Sequence, residues 1–218
     1  MGTPTIDNIG LYRMTHIANI PHILQYGITH RNSPNANPNY VPIGDSSLIN
    51  FRATKCVAIN NCNIKIILGD FIPFYFGIRM PMLYVMQHGW NFVAKPSNPE
   101  EIIYIVISLS KIIDNDFEFY FSDGHATDFL TTFYSKNDIK QLPAIIDWKA
   151  ITAKYWSGDG IETDIKRRKQ AEFIVKQDIP SDFIIGFGCY NEIAKFRLMS
   201  IGIKENSIKI IPQAYYEL

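Results

Sequence analysis

The chain has 218 residues, 47% of them hydrophobic, and carries 21 basic and 21 acidic side chains for no formal net charge. That is enough apolar material for one sizeable core, and 1–218 is read as a single domain. The charge balance excludes a protein that coats nucleic acid by bulk electrostatics, but not one with a local basic groove.

Met1 to Asp7 lacks the basic-then-apolar pattern of a secretory leader. Leu11 to His16 reads as a strand entering a helix over Asn19 to Tyr26, with Asn19 as cap, Pro21 in the first turn and Gly27 as the stop. His16, His22 and His30 lie close in sequence, yet no acid or thiolate stands at ligand spacing, so no metal is expected. Arg31 to Gly44, rich in Asn and Pro, predicts a long loop of the kind that binds or covers a ligand. Ser46 to Arg52 predicts a short helix. Arg52 near its end either complements the helix dipole or meets a phosphorylated ligand.

Cys56, Cys62 and Cys189 leave an odd thiol under any pairing, which points to a reducing, cytoplasmic setting. Phe74-Tyr75-Phe76 suits a strand, broken by Gly77 and Pro81, with a helix from Met80 to Met86. Phe74 and Phe76 read as core, while Tyr75 points to the opposite face, where it can stack on a ligand ring. Glu101 to Ser108 is almost continuously apolar and predicts a strand buried on both faces. Its Ile102 to Ile107 core is the longest purely apolar run, far short of a membrane span, so no membrane partner is expected. Phe119 to Ala126 reads as a strand ending in an Asp-Gly turn that presents His125 at the rim.

A helix over Asp128 to Tyr134, a polar connection over Lys136 to Ile146 and a helix over Asp147 to Tyr155 follow. Trp156 to Asp164 is a loop, which leads to the basic run Lys166-Arg167-Arg168-Lys169. From there Ala171, Phe173 and Val175 alternate with Glu172 and Ile174, so Glu172 stands at the start of a strand, where a packed sheet holds a carboxylate rigidly. The alternative is an exposed acid beside a solvated charge run. A strand from Phe183 to Phe187 ended by Gly188, a helix over Asn191 to Met199 and a strand over Ser207 to Ile211 complete the chain. Strands and helices mix without strict alternation, which favours an α+β fold.

No Gly-x-Gly-x-x-Gly follows a strand and no phosphate loop ends in Gly-Lys-Ser/Thr. Cys56 and Cys62 are too widely spaced for a zinc knuckle, and Glu118, Asp123 and Glu172 leave two-carboxylate glycoside hydrolysis only formally open.

Four blocks in order resemble one family: Tyr12-Arg13-Met14-Thr15-His16 with Asn19-Ile20; Pro73-Phe74-Tyr75-Phe76 with Pro81-Met82-Leu83; Phe121-Ser122-Asp123-Gly124-His125-Ala126; and Arg168-Lys169-Gln170-Ala171-Glu172. They look like DarT, the DNA ADP-ribosyltransferase toxins of bacterial toxin–antitoxin pairs. The resemblance implies an ADP-ribosyltransferase-type fold with a split central sheet and flanking helices. It implies NAD as co-substrate and single-stranded DNA as acceptor, modified on thymine or guanine, and a macrodomain antitoxin as partner.

Carried over by residue, it puts the catalytic glutamate on Glu172 and the catalytic arginine on Arg52. NAD contacts would fall on Arg13, Met14, Thr15, His22, His30, Arg52 and, by its stacking face, Tyr75. Many members have His where this chain has Arg13. Arg79, Tyr84, His125, Lys166 and Lys169 are candidates for DNA, as aromatics and cations that suit a single strand. The residue types also leave two other readings: an enzyme of the same fold acting on RNA or protein, and a non-catalytic NAD or nucleic-acid module.

Overall fold

A computed structural model describes residues 2–93 and 95–217. Ten strands and eight α-helices are found among them. Strand β1 (Gly10–His16) runs into α1 (Ile20–Tyr26), which has Pro21 in its first turn and stops at Gly27. After the long loop come α2 (Ser46–Thr54), the short hairpin of β2 (Cys56–Ala58) and β3 (Lys65–Ile67), then β4 (Ile72–Tyr75), α3 (Pro81–His88), β5 (Ile102–Ser108) and α4 (Leu109–Asp114). The second half comprises β6 (Phe119–Ser122), β7 (Phe133–Tyr134), α5 (Leu142–Ile145), α6 (Trp148–Thr152), α7 (Ile165–Lys169), β8 (Glu172–Val175), β9 (Ile184–Cys189), α8 (Glu192–Ser200) and β10 (Ile208–Ile210). Among the described residues no helix is long and apolar enough to cross a membrane.

Eight strands form one mixed sheet in the order β10-β9-β5-β1-β4-β8-β6-β7, and only β9 and β10 pair in parallel. The expected split is visible in its register. β1 pairs with β5 along its whole length, from Gly10 with Ser108 to His16 with Ile102, but meets β4 at a single position, Tyr12 with Tyr75. Beyond Tyr12, the β4-side edge of β1 has no strand partner among the described residues, which leaves backbone polar groups open along a cleft.

Alternation along the strands sorts the core. Leu11, Phe74, Ile103, Ile105, Ile107, Phe121, Phe173 and Phe187 meet on one face in the largest cluster. On the other face Met14, Met80, Leu83, Tyr104 and Tyr215 form a second cluster, and Leu68, Phe71, Tyr120 and Ile174 a third. β5 is buried almost throughout, as its apolar run predicts.

Three expectations fail. Asp128 to Tyr134 is not a helix. The Asp128 carboxylate accepts from Leu130 N and Asp123 from Thr132 N, so the segment turns back and delivers β7 to pair with β6. Lys136 to Ile146 is no bare connection: Ser135 and Asp138 form a capping box on a 3-10 turn that runs into α5. Gly188 does not end its strand but sits within β9, pairing Tyr104 and Lys209, where a Cβ would come 2.5 Å from Ile211 Cδ1. The glycine there serves close packing.

Candidate active site

Glu172 opens β8 opposite Tyr75 and is 1% exposed, although its side chain shares a face with Ile174. A buried carboxylate requires partners, and two are present. Arg52 Nη1 donates to Oε1 at 3.0 Å, and Ala126 N donates to the same oxygen at 3.2 Å. Ser122 fixes the backbone: Glu172 N donates to its Oγ at 3.1 Å, and that hydroxyl donates to Gly124 O at 2.7 Å. The reading of Glu172 as a solvated acid is therefore excluded.

Arg52 reaches this point from the last turn of α2, two residues before the helix ends. Asp45 caps the other end of α2, accepting from Ser47 N at 2.8 Å and Leu48 N at 3.2 Å. Gly69 lets α2 pack against the chain after β3: a Cβ at that position would lie 2.6 Å from Ala53 Cα. The ion pair is not saturated. Oε2 of Glu172 lies 2.9 Å from Arg52 Nη1 but outside hydrogen-bonding geometry, and Arg52 Nη2 is buried without an acceptor. Two polar atoms of a buried pair thus remain free for a hydroxylated ligand.

Two adjoining cavities reach this pair, one at Arg52 and one at both residues, and a third opens beside the second. One of about 350 Å³ is lined by Arg13, Thr15, His22, His30 and Arg52, and by Tyr40 of the long loop. A small one of about 160 Å³ holds Arg13, Met14, Arg52, Tyr75, His125 and Glu172. A third of about 980 Å³ shares His125 with it and adds Trp156, Lys166 and Leu130. Arg13 and Arg52 line the first two together, and Arg13 Nη1 crosses the sheet split to Pro73 O at 2.9 Å.

The neighbours of Glu172 are held neutral. Burial, and then the Glu172 charge, push the Tyr75 phenol above its ordinary range. Burial lowers His125 below the usual histidine range despite the nearby carboxylate, and Thr127 Oγ1 lies 2.9 Å from its Nδ1. His30 spends both ring nitrogens internally, Nδ1 accepting from Asn32 N at 3.1 Å and Nε2 therefore donating to Gly69 O at 2.7 Å. It shapes the first cavity and keeps only its ring face for a ligand.

The candidate DNA residues divide. His125 and Lys166 line the third cavity, with Lys166 Nζ 5.1 Å from the Trp156 ring centroid. Lys169 does not belong there: it is 1% exposed, and Nζ donates to Ile151 O at 2.8 Å, because the last turn of α7 points it inward. Arg79 is turned to the C-terminal segment, stacked 4.2 Å from the Tyr216 ring centroid and bonded to Tyr215 O. Tyr84 is committed to an aromatic cluster with His88, Trp90, Trp156 and Tyr216. The basic run is largely neutralised within the chain. Arg167 pairs with Asp123 and Asp164, and Arg168 with Asp147, Glu162 and Asp164.

Sequence reasoning passed over Ser122 and the Ala126 amide. Both lie in the block that supplied His125, and the signal was a small hydroxyl residue ending a strand beside Asp-Gly. Asn19, expected as the cap of α1, makes no capping hydrogen bond with its side chain: it bonds Thr15 Oγ1 at 3.1 Å instead and pins Val41 of the long loop through both amide atoms.

Comparison with known proteins gives the family. The family model described as "ssDNA thymidine ADP-ribosyltransferase, DarT" matches residues 12–216. A DNA ADP-ribosyl transferase of Escherichia coli O127:H6 is 32% identical over 189 residues, spanning 86% of this chain and 83% of that protein. The DarT of Thermus sp. 2.9 in complex with ADP-ribosylated ssDNA superposes with a TM-score of 0.80 at 26% identity, covering 95% of this chain and 96% of the other. Its complex with NAD+ gives 0.76 at 25%, covering 99% and 100%. A fused DNA ADP-ribosyl transferase–DNA ADP-ribosyl glycohydrolase of Thermosipho africanus is 29% identical over 175 residues, 80% of this chain and 40% of the fusion.

Proposed function

Since the chain belongs to the DarT family of ssDNA thymidine ADP-ribosyltransferases, we propose that Glu172 and Arg52 are the residues with which it transfers ADP-ribose from NAD to a thymine of single-stranded DNA. The NAD dependence and the DNA acceptor are those of its relatives, one solved with NAD+ and with ADP-ribosylated ssDNA. RNA and protein acceptors give way to DNA accordingly. The observation that carries the residue assignment is the unsaturated, buried Arg52–Glu172 pair, which lines the small cavity that shares residues with both of the larger ones.

The residues fit NAD. The orphaned Arg52 Nη2 and Glu172 Oε2 suit a ribose hydroxyl, and the unpaired β1 edge from Arg13 onward suits a carboxamide. Arg13, Thr15, His22, His30 and Arg52 would hold the dinucleotide along the first cavity, with Met14 and Tyr75 closing the smaller one. Bound there, the dinucleotide supplies a ribose whose bond to nicotinamide breaks with positive charge developing on the sugar. Glu172 faces that charge as a preorganised carboxylate, and stabilises it most as it forms. Arg52 is always charged, so it orients Glu172 and the acceptor instead of taking a proton. Trp156, Lys166 and His125 line the route for an unpaired base, which avoids the cost of extracting it from a duplex. One domain over 1–218 accommodates all of this, since the sheet that carries the site draws its strands from Gly10 to Ile210. The fused transferase–glycohydrolase supports a macrodomain antitoxin as partner, and the toxin role and cytoplasmic setting follow from that pairing.

Incubation with NAD and oligonucleotides that differ in one base, read by mass spectrometry, tests the acceptor. A single ADP-ribose adduct on strands containing thymine, absent from strands lacking it, is the expected result. Modification of guanine-only strands overturns the thymine assignment.

A further inference from the structure

A fourth cavity, of about 810 Å³, lies apart from the three described above, between the loop after β4, helix α6 and the C-terminal segment. Three cations line it, Arg79, Lys154 and Lys169, against one acid among the described residues, the exposed Glu217. Lys169 is 1% exposed, yet its ammonium, with three protons to give, has one acceptor, Ile151 O. Arg79 Nε is buried without a partner. Burial and then the Arg79 charge lower Lys169 to about 8, the direction expected of a buried ammonium with no carboxylate beside it.

The backbone holds this arrangement at a cost. Arg79 has φ of 57°, a left-handed conformation that a long side chain rarely adopts, and its N–H donates to the buried Tyr104 hydroxyl at 3.0 Å. Its Nη1 is bound to the carbonyls of Gln213 and Tyr215, so the guanidinium is fixed at the cavity wall. The lining also includes the aromatic residues Trp148, Tyr190 and Tyr216. Cations with no carboxylate partner in a concave site with aromatic walls are complementary to an anion carried on a planar body.

We propose that this cavity is a second binding site, for a nucleotide whose phosphate lies between Lys169 and Arg79 and whose base packs on the aromatic wall. It is separate from the NAD cavity, and neither cation contacts Glu172 or Arg52. The phosphate could come from a free mononucleotide or from the phosphorylated end of a strand, since both present the same group.

Calorimetric titration of the whole protein with dTMP and with a 5′-phosphorylated oligonucleotide, with and without NAD, tests the site. Saturable binding of either, unaffected by NAD, is expected, and the tighter ligand identifies the source. Lys169→Met and Arg79→Gln should each weaken that binding by about tenfold or more, the worth of one charge-assisted hydrogen bond, and leave NAD affinity unchanged. Arg79→Gln decides the matter should Lys169→Met fail to fold. Absence of binding by both ligands, competition with NAD, or equal affinity in wild type and Arg79→Gln overturns the proposal.

Discussion

Glu172 is buried against Arg52 and the Ala126 amide, and a group so placed acts chiefly through its charge. Glu172→Gln keeps the shape and most of the hydrogen bonding but removes the negative charge from the face where the ribose cation develops. Single-turnover transfer should fall by roughly 10²-fold or more, the scale of losing one preorganised electrostatic group. NAD affinity by calorimetry should change little, and a variant with wild-type turnover would refute the assignment. Lys169 makes a different case. Its folded value is lowered to about 8 from 10.5, so between those values the unfolded chain holds a proton that the folded chain has released. Stability from this group therefore rises with pH across that window and is flat below it. Cys189, raised to about 11, contributes in the opposite sense, so the comparison must be with a variant. The melting temperature of Lys169→Met minus that of wild type should shrink as pH rises from about 8 to about 10. A constant difference would show that Lys169 is not an uncompensated cation.

At the scale of elements, the site depends on how α2 meets the chain after β3. Arg52 is on the last turn of α2, and Gly69 is where that helix makes its closest backbone approach. A methyl at Gly69 would meet the Cα, C and O of Ala53 at 2.6 to 2.9 Å, and backbone atoms cannot rotate away as a side-chain tip can. Gly69→Ala should destabilise by about 1–3 kcal/mol as overpacking does. Because α2 carries Arg52, transfer should fall as well, in protein that is still folded at the assay temperature. Denaturant unfolding beside a transfer assay checks both, and full activity in the variant would show that α2 has freedom to shift. The β1–β4 seam is the other element-scale device. One register pair, Tyr12 with Tyr75, joins the two half-sheets, and Arg13 spans the gap to Pro73 where the strands part.

For the molecule as a whole, net charge is zero and the run at 166–169 is mostly consumed internally, which leaves Lys166 beside the ion-paired Arg167 as the cation of that run available at the proposed acceptor cavity. DNA affinity should consequently fall only gently with salt. Lys166→Ala should reduce the slope of log affinity against log salt by about 0.7, one phosphate contact on a single strand. Arg167→Ala should leave the slope unchanged, whatever it does to stability. Fluorescence titration of an oligonucleotide at several salt concentrations separates the two, and equal losses of slope would place Arg167 on the DNA.

Local order in the residues was enough to identify several elements. The unbroken apolar run of β5, the alternation of β8, Pro21 and Gly27 bounding α1, and the Asp-Gly turn before His125 are short-range signals, and each element formed where its signal lay. The four ordered blocks likewise indicated Glu172, because a motif is a property of sequence. What tertiary structure alone decided was where charge finds its partner. Arg52 and Glu172 are 120 positions apart, and only the packing of α2 against β8's end of the sheet brings them together. The same holds for the basic run, whose arginines find acids brought in by folding and whose Lys169 turns into a cavity. A charged side chain's neighbours are set by long-range packing and not by its own stretch of chain, so the sequence marked these residues as charged and the fold determined which of them face a ligand.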